Sequence, residues 1–213
     1  MPDARPTVFV VDDDVSVREA LEALIDVSGW RPRVFESGEA FLSYPAESGE
    51  CCLVLDVSLP DLNGLDLQAM IAGERAHMPI IFITGFGDVP TSVRAMKAGA
   101  AEFLTKPFGD AVLLEAVGAA LARSRAAVDE REAVQVLLDR YVSLSRRERE
   151  VMSLIVAGLL NKQVGGELGI SEITVKAHRG RVMEKMKARS FAELVKMSSR
   201  LGAALSQAER QGD

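Results

Sequence analysis

Asp12, Asp13, Asp56, Thr84 and Lys106 are the residues of this chain whose types and placement suit chemistry on phosphorus. Each stands at the end of a short apolar run. Asp12 and Asp13 follow Val8-Phe9-Val10-Val11, Asp56 follows Leu53-Val54-Leu55, Thr84 follows Ile80-Ile81-Phe82-Ile83, and Lys106 follows Glu102-Phe103-Leu104-Thr105. Such runs, separated by helix-length amphipathic segments, read as strands of a parallel sheet. Ligands of such sheets bind outside the carboxyl ends of the strands, so three carboxylates, a hydroxyl and an ammonium would meet at one edge. A carboxylate can attack phosphorus, but a bare acidic cluster repels an anionic phosphoryl group. Mg²⁺ takes oxygen ligands, commonly one or two carboxylates, and would cancel the repulsion. Lys106 would then pair with one phosphoryl oxygen and Thr84 with another, leaving an acyl phosphate on Asp56.

The elements that must position these residues follow from the pattern. Strands are expected at Thr7–Val11, Arg31–Glu36, Leu53–Asp56, Ile80–Thr84 and Glu102–Thr105, with the more polar second strand at an edge. Helices are expected after the first strand, with Val17, Leu21, Leu24, Ile25 and Ser28 along one face, and at Ser37–Tyr44, Asn63–Ala72, Val89–Ala98 and from Asp110 onward. Alternating strands and helices give a doubly wound α/β domain. Asp14 reads as a helix cap, and Asp61 and Asp66 as turn and surface carboxylates. From Val112 to Tyr141 the chain has no proline and one glycine, Gly118. That stretch reads as an amphipathic helical connector rather than a coiled-coil seam, because Arg131 interrupts the stripe of Ala127, Val134, Leu138 and Tyr141.

Length and composition set the frame. A chain of 213 residues, 48% hydrophobic, holds one large or two small domains. No apolar run reaches bilayer length, and the first residues lack the features of a signal peptide, so a soluble cytoplasmic protein with no membrane partner is expected. Cys51 and Cys52 fit no disulfide or zinc spacing and read as small apolar residues entering a strand. Charge is split along the chain. Through Leu121, 8 Lys and Arg stand against 19 Asp and Glu; from Ala122 onward 17 stand against 12. The acidic front would repel nucleic acid phosphates, and the basic back could meet them.

The basic part reads as a small helical unit from Ser143 to about Gly202. Ser145 and Glu148 form a capping-box pattern before the first helix, which ends at Gly158. A second helix covers about Asn161–Leu168, Gly169-Ile170-Ser171 makes a turn, and Ser171 caps a third helix at about Glu172–Met186. A fourth covers about Phe191–Leu201, and residues after Ala203 read as a polar tail. Helix, tight turn and basic helix make a helix-turn-helix. Val175, His178, Val182 and Met186 form the inward stripe of the third helix, with His178 a packing or hydrogen-bonding residue. Lys176, Ala177, Gly180 and Glu184 face outward, flanked by Arg179 and Arg181. Lys176 could take guanine acceptors and Ala177 could touch a thymine methyl, while Lys162 suits a phosphate. Candidate DNA contacts are therefore Lys162, Thr174, Lys176, Ala177, Arg179, Gly180 and Arg181.

Two sets of motifs carry a family resemblance. Val10-Val11-Asp12-Asp13-Asp14, Leu55-Asp56-Val57-Ser58-Leu59-Pro60-Asp61-Leu62-Asn63-Gly64, Ile83-Thr84-Gly85-Phe86-Gly87 and Phe103-Leu104-Thr105-Lys106-Pro107-Phe108 resemble the receiver domain of two-component response regulators. Leu144-Ser145-Arg146-Arg147-Glu148-Arg149-Glu150-Val151 and Leu168-Gly169-Ile170-Ser171-Glu172-Ile173-Thr174-Val175-Lys176-Ala177-His178-Arg179 resemble the LuxR-type helix-turn-helix. Together they resemble the FixJ/NarL group of transcription regulators. The resemblance implies a receiver at 7–121, a helical linker at 122–142, a DNA-binding domain at 143–202 and a tail at 203–213. It implies a flavodoxin-like five-stranded sheet of order 2-1-3-4-5 and an all-α second domain. It also implies Asp56 as phosphoacceptor from a sensor histidine kinase, with Mg²⁺ held by Asp13, Asp56 and the Ser58 carbonyl and Asp12 acting through water. Thr84 and Phe103 would move together as the switch, although Phe103 lacks the hydroxyl of the commoner tyrosine. The Lys106-Pro107 bond would be cis. Phosphorylated copies would pair through the 89–120 face, and two DNA-binding units would occupy half-sites of promoter DNA, with RNA polymerase a possible further partner.

One departure is Gly165-Gly166 inside the second helix of the basic unit, where alanine is more usual; either helices approach closely there or the unit is marginally stable. Two other functions would leave different marks. An aspartyl-phosphate phosphatase would carry a second acid two residues after the nucleophile, where this chain has Ser58. Another is a receiver whose basic module serves protein contacts, against which a steep salt dependence of DNA binding would argue.

Overall fold

The computed structural model describes residues 5–85 and 89–211, with side chains described as far as residue 204. Phe86 and Gly87 of the motif that follows Thr84 lie outside the described residues. The chain divides into two compact units, Met1–Asp129 and Glu130–Asp213.

The first unit is a five-stranded parallel sheet. Its strands are β1 (Thr7–Val11), β2 (Arg31–Phe35), β3 (Cys51–Asp56), β4 (Ile80–Thr84) and β5 (Glu102–Thr105), in the order β2-β1-β3-β4-β5. The expected order and polar edge strand are both found. β1, β3 and β4 are buried from end to end, as continuous β-branched runs covered on both faces must be. Helices α1 (Val15–Val27), α2 (Gly38–Leu42), α3 (Gly64–Ile71), α4 (Val89–Lys97) and α5 (Asp110–Val142) alternate with them.

Side chains alternate between two cores. Phe9, Phe41, Leu53, Leu55, Leu67 and Phe82 fill one face, and Val10, Ile25, Val54, Ile81, Leu113 and Val117 fill the other. Cys51 and Cys52 point to opposite faces, both buried and free. Burial pushes the Cys51 thiol up to about 12 and the Cys52 thiol higher still, so both stay as protonated apolar groups. The sheet is tied to α5 by a long-range bond: the Cys51 N–H donates to the buried Ser124 Oγ at 3.0 Å.

Helix starts follow their caps. Asp14 Oδ1 accepts the Ser16 N–H at 2.8 Å, as its cap role requires. α5 runs unbroken over 33 residues, so the connector read from the sequence is helix throughout.

The second unit contains the C-terminal part of α5 with α6 (Arg146–Val156), α7 (Asn161–Leu168), α8 (Glu172–Met186) and α9 (Phe191–Gln211). Leu144, Val151, Ile155, Val164, Val175, Val182, Met186 and Leu194 form its core. α9 corrects the sequence reading: the helix does not stop near Leu201 but continues through the segment read as a tail. That segment, Ala203-Ala204-Leu205-Ser206-Gln207-Ala208-Glu209-Arg210-Gln211, has no proline or glycine to end a helix.

Gly165 answers the question of the two glycines. A Cβ there would stand 2.7 Å from the Ile170 carbonyl oxygen, whereas one at Gly166 would meet nothing within 4 Å. Close approach of α7 to the turn thus requires glycine at 165 only.

Candidate functional site

The carboxyl ends of β1, β3, β4 and β5 bring the first set of residues together. Asp12 follows β1 and is fully buried; Asp56 ends β3 and is buried; Asp13 beside them is exposed. Ligand oxygens of Asp12, Asp13 and Asp56 lie within 4.8 Å of one another, the one such acidic group among the described residues. Lys106 follows β5 and reaches across the intervening strands. Its Nζ donates to Asp12 Oδ2 and to Asp56 Oδ2, each at 2.6 Å. The second oxygens of the two acids are held by backbone: Asp12 Oδ1 accepts the Asp14 N–H at 2.9 Å, and Asp56 Oδ1 accepts the Ser58 N–H at 2.8 Å. Arg18 donates to the Asp12 carbonyl at 2.8 Å, tying α1 to the same corner.

The electrostatics of this corner are unbalanced. Burial pushes the Asp12 carboxyl above its usual range, and the bonds from Lys106 and Asp14 do not fully offset it. Lys106 is also partly buried, which favours its neutral form, but Asp12 and Asp56 outweigh this and raise it. One ammonium is thus shared by two close carboxylates, with a third at the mouth. The donors are all hard oxygens and the cluster is over-supplied with negative charge, which fits a small divalent cation.

Thr84 is buried at the end of β4, one residue past Ile83, the register partner of Asp56. Its carbonyl accepts the Lys106 N–H at 2.7 Å. Phe103 is half-buried on β5, with its ring 6.3 Å from that of Phe82. Ser58 follows Asp56 and pairs with Asn63 in an isolated antiparallel bridge. Gly64 lets α3 start against this turn: a Cβ there would stand 2.6 Å from the Asp56 carbonyl oxygen. The Lys106-Pro107 bond is cis. Asp61 is more than a turn carboxylate. It accepts the Glu39 N–H at 3.0 Å at the start of α2. Burial pushes its carboxyl up, but backbone N–H groups led by that of Glu39 outweigh this and hold it low.

In the second unit the capping box is present: Ser145 Oγ accepts the Glu148 N–H at 3.3 Å, and Glu148 Oε2 accepts the Ser145 N–H at 2.8 Å. Glu148 also accepts from Lys185 on α8 at 2.6 Å, a bond invisible in the sequence. Lys185, with the Ser145 N–H, lowers this buried carboxyl to about 2. Arg147 fixes the turn by donating to the Leu168 carbonyl at 2.8 Å.

α8 buries Val175, Val182 and Met186 and turns Lys176, Ala177, Gly180 and Arg181 outward. Ser171 caps it, with Oγ accepting the Thr174 N–H at 3.1 Å and lying 2.8 Å from Thr174 Oγ1. Lys162 is exposed at the start of α7. Arg179 is half-buried. It donates to Asn161 Oδ1 at 3.3 Å and its guanidinium lies 5.0 Å from the centre of the Phe191 ring. It therefore braces α8 against α7 and α9. His178 is half-buried; its buried Nδ1 has no hydrogen-bond partner, so it is a packing residue.

Residues 8–118 match the response regulator receiver domain family, and residues 142–198 match the bacterial regulatory proteins of the luxR family. The chain belongs to the response regulators. Among curated relatives, the response regulator is 49% identical over 206 residues to nodulation protein W of Bradyrhizobium diazoefficiens, covering 97% of this chain and 91% of that one. It is 44% identical over 204 residues to the transcriptional regulatory protein FixJ of Azorhizobium caulinodans, covering 96% of each. A solved structure of the response regulator StyR superposes with a TM-score of 0.81 at 44% identity, over 92% of this chain and all of that one. A receiver joined to a LuxR-type DNA-binding domain makes this response regulator a transcription regulator of the FixJ type and not an enzyme. The receiver implies a histidine kinase partner, and the LuxR-type domain implies DNA binding. Among the described residues no helix is long and apolar enough to cross a membrane.

Proposed function

We propose that Asp56 is the phosphoacceptor and that its phosphorylation by a sensor histidine kinase controls binding of the C-terminal unit to promoter DNA. The observation that carries this is the sharing of Lys106 by Asp12 and Asp56 at 2.6 Å each. An Asp56 carboxylate oxygen attacks the phosphorus of the kinase phosphohistidine; the new O–P bond forms as the N–P bond breaks, and imidazole leaves. Lys106 is placed to pass from the carboxylates to a phosphoryl oxygen, and the Thr84 hydroxyl to a second. Asp12, Asp13, Asp56 and the Ser58 carbonyl would hold Mg²⁺, which supplies the charge that lets an anion approach. Thr84 and Phe103 act as the switch, and Phe103 works by burial against Phe82 alone.

The receiver spans 7–121, the linker 122–142, the DNA-binding domain 143–202 and the remainder 203–213. Phosphorylated copies pair through the 89–120 face, and two DNA-binding units then occupy half-sites about one helical turn apart. Lys162, Thr174, Lys176, Ala177, Arg179, Gly180 and Arg181 line the DNA side, with RNA polymerase a further partner at the promoter. The protein works in the cytoplasm, where kinase output and promoters meet. With acetyl phosphate and Mg²⁺, phosphoryl incorporation is expected to fall at least about 100-fold in Asp56→Ala, with dimerisation and tight DNA binding lost too. A variant that still responds like the parent would sink this assignment. A steep fall of DNA affinity with salt is expected from its phosphate contacts.

A further inference from the structure

Ile173, in the first turn of α8, is 80% exposed, the most exposed large apolar side chain among the described residues of the second unit. It lies outside that unit's apolar core. At about 100° per residue, Ile173, Lys176, Ala177 and Gly180 share one stripe, opposite the buried Val175, Val182 and Met186.

We infer that Ile173 is a specificity-determining residue: with Ala177 it presents a methyl surface that reads thymine C5 methyl groups in the major groove. This rests on the DNA-binding reading above and adds a residue to it. Polar side chains in the early turns of α8 are partly engaged within the protein. Lys176 is paired with Glu172 at 3.2 Å. Thr174 Oγ1 is engaged with Ser171 Oγ at 2.8 Å. Gly180 has no side chain, and a Cβ there would meet nothing within 4 Å, so the stripe is open to close approach. Ile173 and Ala177, four residues apart, stand side by side on the helix surface. The N-terminal residues of a recognition helix are those that reach base edges, and apolar contact with the thymine methyl is a recognised form of readout.

Charge selects duplex DNA over an apolar protein surface as the occupant. Between Ser143 and Gly202, 12 Lys and Arg stand against 6 Asp and Glu. Lys162 and Arg181 are exposed on the two helices of the motif. An apolar centre within a cationic surface suits a polyanion whose groove carries methyl groups.

The test uses the full chain, acetyl phosphate and Mg²⁺, and a site selected from randomised duplexes. Each thymine of that site is then replaced by deoxyuridine, which removes the C5 methyl alone. The parent is expected to lose about fourfold in affinity at one or more thymines. Ile173→Ala is expected to bind the selected site about tenfold more weakly, to be insensitive to that deoxyuridine, and to keep the parent's affinity for random duplex and its melting temperature. Ile173→Val should recover most of the loss. Insensitivity of the parent to every deoxyuridine, or an equal loss for Ile173→Ala on thymine and uracil sites, overturns the inference while DNA binding stands. A parent that enriches no sequence and binds no duplex overturns the DNA-binding reading itself.

Discussion

Each unit of this protein buries carboxylate against lysine, and the two arrangements behave in opposite ways. In the receiver, Asp12 and Asp56 share Lys106, Asp13 adds a third negative charge, and burial pushes the Asp12 carboxyl up. In the DNA-binding unit, Glu148 accepts from Lys185, which also donates to the Ser143 carbonyl, and from the Ser145 N–H, and its carboxyl falls to about 2. Glu148 is a closed account of donors and acceptors that joins α6 to α8. The receiver corner is left with more charge than the protein neutralises, and that surplus is what a cation and a phosphoryl group can use.

The contrast can be broken most forcefully at Lys106. Lys106→Ala leaves Asp12 and Asp56 buried without their cation, so receiver stability measured by urea in EDTA should fall by about 3 kcal/mol. Added Mg²⁺ should restore much of it. Equal loss with and without the ion would mean that the corner is merely structural. Next in size is Glu148→Gln, expected to cost the second unit about 2 kcal/mol, since Lys185 is partly exposed and can be rehydrated. Because the folded-state value of Glu148 is depressed, its contribution is present above about 4.5 and is lost as pH falls through about 2. Parent and variant should therefore converge in acid when amide exchange of α6 and α8 is followed. The smallest effect has the opposite sign. Asp12 is raised above its ordinary value, so its ionised form opposes folding, and this opposition is relieved as pH falls through its folded value. Asp12→Asn should stabilise the receiver on the order of 1 kcal/mol at neutral pH in EDTA, and the order should reverse in Mg²⁺. A destabilised Asp12→Asn in EDTA would show that the corner carries no surplus charge.

The two units also differ in how much of them could be read from residues. The receiver pocket was legible because each polar member follows its own apolar strand, and a parallel sheet sends all carboxyl ends one way. β1, β4 and β5 fall where the pattern put them, and β2 and β3 differ only at an end. The sharing of Lys106 was not legible, since it depends on strand order bringing residues 94 and 50 positions apart to one nitrogen. In the second unit Ser145 and Glu148 announced their box through local spacing. Lys185, 37 residues from Glu148, gave no such signal. The contacts of Arg179 with Asn161 and Phe191 gave no signal either, because a basic residue on a helix looks the same in sequence with or without them. The end of α9 was not legible because its segment is polar and offers no apolar stripe, although no proline or glycine from Ala203 to Gln211 breaks the helix.

The bond from the Cys51 amide to Ser124 gives the receiver a built-in gauge. The first amide of the central strand is held by a hydroxyl on the last helix, 73 residues away. Lifting of α5 from the sheet at Ser124 is expected to free its proton for exchange with solvent. Deuterium uptake at that single position is therefore expected to time the seating of the helix that continues toward the DNA-binding unit, with no probe attached to the chain.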